Sequence, residues 1–115
     1  MNRYRFQNHF YLEIDEFLNT TIGICSESEI LDIVFLDLPE PHYRYSIDEE
    51  FIQIESISDF WNVKAPITCI VKETNKKLLK DLSLFNNEED IWLISIDMVD
   101  KYELDVLEMD EDYSN

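Results

Sequence analysis

Four side chains in this sequence have the chemistry to hold a transition metal or pass a proton at neutral pH: His9, Cys25, His42 and Cys69. Zinc sites draw on cysteine and histidine at close spacing, so that one turn of chain presents two ligands together. Here the intervals are 16, 17 and 27 residues, and no pair is placed by a local turn. Cys25 and Cys69 lie at the end of or within apolar runs, "TIGIC" and "ITCIV", where cysteine behaves as a small hydrophobe rather than a nucleophile. His42, in "PEPHYRY", has acids nearby and could serve as a general base, but the prolines before it read equally well as the entry to a strand. A phosphate-binding loop needs several glycines so that the backbone can approach the anion, and Gly23 is the only glycine. A calcium loop fails on the same count, since "DMVDKYELD" lacks the central glycine and the ligand spacing. Carboxylates are plentiful, but nothing marks one pair for acid–base work. The expectation is a protein that is not an enzyme, with no cofactor and no metal site.

What remains is surface chemistry. The chain has 26 Asp and Glu against 9 Lys and Arg, a net charge of −17 over 115 residues. Solubility alone asks for a net charge of about 2–8 on a small domain. Such a surface repels nucleic-acid phosphate and anionic membranes and speeds encounter with a cationic protein. The acids fall in three clusters: Asp48-Glu49-Glu50 with Glu55 and Asp59; Glu88-Glu89-Asp90; and Glu103, Asp105, Glu108, Asp110, Glu111 and Asp112. Tyr43, Tyr45, Trp61, Tyr102 and Tyr113 are interleaved with them. Rings among carboxylates suit the reception of Lys and Arg, the ring covering the stem and the carboxylate taking the head group. The candidate partner-binding set is Asp48, Glu49, Glu50, Glu55, Asp59, Trp61, Glu103, Asp105, Glu108 and Asp110. Residues 64–80 reverse the sign, with five lysines against Glu73, and read as solvated lysines about a turn.

These features point to a small acidic inhibitor: an immunity or antitoxin protein that neutralises a basic, nuclease-like bacterial toxin. Such proteins are similar to this chain in size and charge. The alternative is a DNA mimic of phage or mobile-element origin, of the anti-CRISPR or anti-restriction type, with outward acids spaced along a strand where phosphates would lie. Both imply a basic protein partner, a toxin or a nucleic-acid-binding protein, with no direct nucleic-acid or membrane binding; oligomeric state stays open. The N-terminal "MNRYRFQNHFYLEIDEF" has no apolar core of a signal peptide, and the expected location is the cytoplasm.

The elements that would carry these residues are read from periodicity. The length suits a single domain over 1–109, followed by an acidic tail at 110–115 that can bury nothing and is expected to fray. Phe6, Phe10, Ile14 and Phe17 make a helical stripe over 4–20, though Phe10, Leu12 and Ile14 also alternate as a strand. In 26–38, Ser26 with Glu29 reads as a capping box opening a helix, and "ILDIVFLDL" as a strand following it. Residues 75–85 fit a short helix through Leu78, Leu79 and Leu82, or another strand. "HYRYSID", "FIQIESI", "ITCIVKE", "IWLISIDM" and "YELDVLEM" all read as strands, the last with Tyr102, Leu104 and Val106 inward and Glu103 and Asp105 outward. The expected fold class is α+β: an antiparallel sheet of about 4–6 strands with a meander-like second half, and one or two N-terminal helices on one face.

Overall fold

Residues Asn2–Phe6 form strand β1 and Phe10–Ile14 form β2, paired antiparallel with Phe6 opposite Phe10 and Asn2 opposite Ile14. The computed structural model describes residues 2–26, 28, 30, 32–85 and 89–109. The first reversal is made by Gln7 and Asn8 at positive φ, 46° and 68°, a region Asn tolerates because its short amide bonds locally. The helix expected over 4–20 is therefore a hairpin. The helical spacing of Phe6, Phe10 and Ile14 was a coincidence of hairpin geometry, with Phe6 and Phe10 neighbours across the turn.

Eight further strands follow: β3 (Thr20–Ile24), β4 (Ile33–Asp37), β5 (Arg44–Tyr45), β6 (Glu50–Ser56), β7 (Phe60–Lys64), β8 (Cys69–Thr74), β9 (Ile91–Met98) and β10 (Glu108–Met109). They form two antiparallel sheets, one in the order β10-β1-β2-β3-β9-β8-β5 and one in the order β4-β6-β7. The only α-helix among the described residues is α1 (Lys76–Lys80), followed by a 3-10 turn at Leu82–Leu84. The α+β expectation is thus overturned. The helix expected over 4–20 is replaced by strands, and the second half is not a simple meander, because β9 inserts between β3 and β8 while β6 and β7 join a separate sheet. Of the 26–38 segment, the strand half is β4; the described residues before it are not helical, and Glu29 lies outside the described residues.

The core fills the space between the sheets. Phe10, Leu12, Ile22, Leu93, Ile94 and Ile96 come from the larger sheet and Ile52, Ile54 and Val63 from the smaller, all essentially buried. Each such side chain contributes about 1.5–3 kcal/mol when removed from water. Leu78 anchors α1 to the same core. With one glycine available, positive φ falls on Asn8, Asp32 and Asp48, and also on Gln7, Leu18 and His42.

The stretch 101–106 departs furthest from its periodicity. It is a 3-10 turn, not a strand, with Tyr102 74 % and Val106 75 % exposed, opposite to the inward expectation. The Asp100 side chain accepts from the Tyr102 N–H and opens that turn. Leu104 alone of the three packs on the core, and pairing resumes only at β10, where Glu108 lies opposite Arg5 and Met109 opposite Tyr4.

Candidate functional site

The most sharply built protrusion is the turn between β6 and β7. Along β6, Ile52 and Ile54 face the core, so Gln53 and Glu55 face outward; along β7, Val63 is inward, and Phe60 and Asn62 are outward. Ser56 closes the turn. Its buried hydroxyl accepts from the N–H groups of Ser58 (3.3 Å) and Asp59 (2.9 Å), and its own N–H donates to the Asp59 carbonyl (2.8 Å). The Ile57 N–H donates to the Asp32 carbonyl beside β4 (3.3 Å). A small hydroxyl residue does this well because its oxygen satisfies the turn's donors without bulk. The result is a fixed tip that projects Ile57 (77 % exposed) and Ser58 into solvent.

Next to the tip, strand register sets Phe35, Glu55 and Phe60 in one row across the outer face of the smaller sheet. Both rings are about half exposed, and Val34 is exposed at the irregularity beside Phe35. Exposed apolar side chains grouped in this way mark interaction surfaces more often than scattered ones do. Further along the sheet a cleft of about 350 Å³ is lined by Asp37, Glu40, Tyr43, Tyr45, Glu50 and Gln53 among others.

The expected partner-binding residues separate into groups. Glu55 and Asp59 share the hairpin with Trp61, which lies on the inner side, half-buried and edge-on to His9 at 6.0 Å between ring centroids. Asp48, Glu49 and Glu50 sit at the opposite end of β6. Asp48 takes positive φ (71°) with its N–H on the Ala65 carbonyl, and the Glu49 carboxylate accepts from the Ser46 N–H. Glu103 turns inward, accepting from both the N–H (2.8 Å) and the hydroxyl (2.9 Å) of Thr68. Asp105 is exposed on the 3-10 turn, Glu108 is in β10, and Asp110, like Glu88, Glu111, Asp112 and Tyr113, lies outside the described residues. Ser56, Ile57, Phe35 and Phe60 were missed. The available signal was the polar break "SISD" following a strand pattern, which lacks the Asn-Gly or Asp-Gly that usually announces a hairpin.

On the outer face of the larger sheet the chain closes on itself. Arg3, 8 % exposed, meets Asp90 at 2.7 Å and Glu13 at 3.4 Å, and lies 4.1 Å over the Tyr11 ring. Asp90 also accepts from the Ser26 N–H at 2.8 Å. Burial alone would raise the Asp90 carboxyl, but the Arg3 hydrogen bond, the Ser26 N–H and the Arg3 charge hold it below its ordinary value. Burial pushes the Tyr11 hydroxyl well up. Gly23 stands opposite Tyr11, and an added Cβ would collide with the Ile91 carbonyl and the Tyr11 ring. Elsewhere, burial raises the Cys69 thiol to about 12, with Glu103 and Glu49 adding to the effect. Among the described residues no three of His, Cys, Asp and Glu are gathered in a metal-binding group.

Comparison with known proteins gives one answer. A family model described as "Glycine cleavage H-protein" matches residues 3–115. The glycine cleavage system H protein of Halothermothrix orenii is 32 % identical over 112 residues, covering 94 % of this chain and 87 % of that protein. That of Brevibacillus brevis is 39 % identical over 95 residues, covering 79 % and 75 %. The crystal structure of a glycine cleavage system H protein from Mycobacterium marinum superposes with a TM-score of 0.68 at 22 % identity, covering 84 % of each chain, and shows the same β-sandwich fold. These matches overturn the expectation of an immunity or antitoxin protein, and that of a DNA mimic. The basic toxin or nucleic-acid-binding partner falls with them: size and charge are shared by unrelated proteins, whereas a match along nearly the whole chain is not.

Proposed function

Because this chain belongs to the glycine cleavage H-protein family, we propose that it serves a glycine cleavage system as a component bound by the system's enzymes, the P-, T- and L-proteins, rather than as a catalyst. The observation that carries the reading is the family match over 3–115 together with a relative aligned to 94 % of the chain. The geometry supports it. The hairpin tip and the Phe35–Glu55–Phe60 row form a rigid outer surface with apolar side chains ready for burial and a carboxylate between them. The net charge of −17 adds steering toward positively charged docking faces. Two buried cysteines that form no disulfide suit a reducing compartment, and a cytoplasmic location is part of this proposal. No helix among the described residues is long and apolar enough to cross a membrane.

H-proteins are lipoyl carriers. A lipoyl group is a carboxylic acid held as an amide on a lysine ε-amine, and when bound it carries groups between active sites. The tip residues Ile57 and Ser58 offer no amine, so the hairpin does not fit that group, and the proposed role here is recognition.

Calorimetric titration of the chain into each purified enzyme tests the reading. Binding to at least one is expected, weakening as salt is raised. Phe60→Ser should lower that affinity about tenfold, the loss of one well-buried aromatic anchor. No measurable binding to any of the three at low salt ends the proposal.

A further inference from the structure

We infer that this chain presents the H-protein surface without a lipoyl arm, because the β6–β7 tip that would hold the arm carries Ile57 and Ser58 where an amine is required. The inference rests on the family reading above.

An arm that visits successive active sites needs its amine at a projecting point on a fixed backbone, with the side chain clear of the sheet. The described hairpins offer three such points: Gln7–His9 between β1 and β2, Asp15–Asn19 between β2 and β3, and Ile57–Ser58 between β6 and β7. The first is tied down, since the Gln7 amide donates to the Asn62 carbonyl and accepts from the Lys64 N–H. The second is a longer loop wound around Asp15, which accepts from the N–H groups of Phe17 and Asn19. The third is a two-residue tip locked by Ser56 and braced on Asp32, with both residues exposed. The second is also held, by Asp15 and Asn19, with Phe17 and Leu18 exposed, but the third alone combines a held backbone and open side chains with a place beside the exposed Phe35–Glu55–Phe60 row.

None of these tips has a lysine. The chain's six lysines are Lys64, Lys72, Lys76, Lys77, Lys80 and Lys101, and all fall among the described residues. Lys64 ends β7 opposite Glu50, at the far end of that strand from the tip. Lys72 is within β8, Lys101 begins the 3-10 turn, and the other three share the five-residue α1. Ser58 is no substitute: its hydroxyl would give an ester, more readily hydrolysed than an amide, and an unactivated hydroxyl is a weaker nucleophile than an amine. A chain of this kind occupies the docking site of a glycine cleavage enzyme without delivering an arm to it, and so competes there with any lipoylated H-protein present.

The test is intact-mass spectrometry after incubation with lipoate, ATP and a lipoate–protein ligase. The ligase joins the lipoate carboxyl to an ε-amine as an amide, with ATP cleaved to AMP and pyrophosphate. The unaltered chain should gain no mass. Ser58→Lys and Ile57→Lys are made separately, both at exposed turn positions, with circular dichroism confirming the fold. At least one should gain a single lipoyl mass, mapped by peptide digestion to the new lysine. A lipoyl adduct on any lysine of the unaltered chain, those of α1 included, overturns the inference. So does failure of both folded variants to be modified, because the tip would then not be the arm's station. Either result leaves the calorimetric binding data untouched, so the two readings fail separately.

Discussion

The outer faces of the two sheets are finished in opposite ways. On the seven-stranded sheet, Arg3 covers Tyr11, Asp90 and Glu13 neutralise Arg3, and Gly23 leaves room for the ring. On the three-stranded sheet, Phe35, Glu55 and Phe60 lie open, and Ile57 projects beyond them. The first face spends polar residues on satisfying one another, which fixes the sheet. The second keeps apolar area uncovered, which contributes nothing to folding and is useful only when another surface covers it. Mutations should therefore register as stability on one face and as binding on the other.

Gly23→Val gives the largest expected effect. The new side chain collides with the Ile91 backbone carbonyl and the Tyr11 ring, and overpacking of that kind costs about 3 kcal/mol, read as a fall in the urea midpoint. Arg3→Met comes next. It strips Asp90 of its cationic partner, leaving it the Ser26 N–H, and uncovers Tyr11, and because Asp90 is partly open to water the cost should be about 2 kcal/mol. If either variant unfolds at the same urea concentration as the parent, this face is not the self-closed one described above.

A pH series sharpens the point. The folded-state Asp90 carboxyl is held below its unfolded value, about 3.9. Its contribution is therefore fully present above that unfolded value and is lost as pH falls through the lower, folded one. Asp90→Asn should be less stable than the parent at neutral pH, and the gap should narrow below about pH 4. A gap constant from neutral pH to pH 3 would break the assignment. The smallest effect is expected on the other face, where Phe60→Ser should move stability by no more than about 0.5 kcal/mol while lowering enzyme affinity. A large loss of stability would show that Phe60 serves the fold instead.

Several strands were legible in the sequence, and the reason is local. "FIQIESI" and "ITCIVKE" sit on β6 and β8 because a period of two fixes which side chains share a face wherever the chain is extended. The same rule failed at "YELDVLEM". Its alternation is strand-like, but Asp100 captures the Tyr102 N–H and Thr68 captures Glu103, so the stretch turns. In "IWLISIDM" the shift at Ile22/Gly23 pairs Gly23 with Trp92 and leaves Trp92 39 % exposed while Leu93, Ile94 and Ile96 are buried. The N-terminal hairpin was hidden by turn chemistry, since Gln7 and Asn8 do what glycine usually announces. The acids were read as one partner-facing set, but Glu103 is occupied within its own chain while Glu55 stands between two exposed rings. Charge drew the functional reading toward a toxin inhibitor because net charge reports on encounter, not on ancestry.

By itself, then, the sequence determined the charge, the absence of a glycine-rich phosphate loop, the β character of the second half and the number and spacing of its lysines. Those follow from residue types and short-range periodicity. Only the tertiary structure decided which outer face is closed and which is open, and that the held Ile57–Ser58 tip stands beside the open one. Those depend on pairings between distant segments, such as Ile22 with Ile94 and Arg3 with Asp90, and a period of two says which residues share a face but not what lies against it.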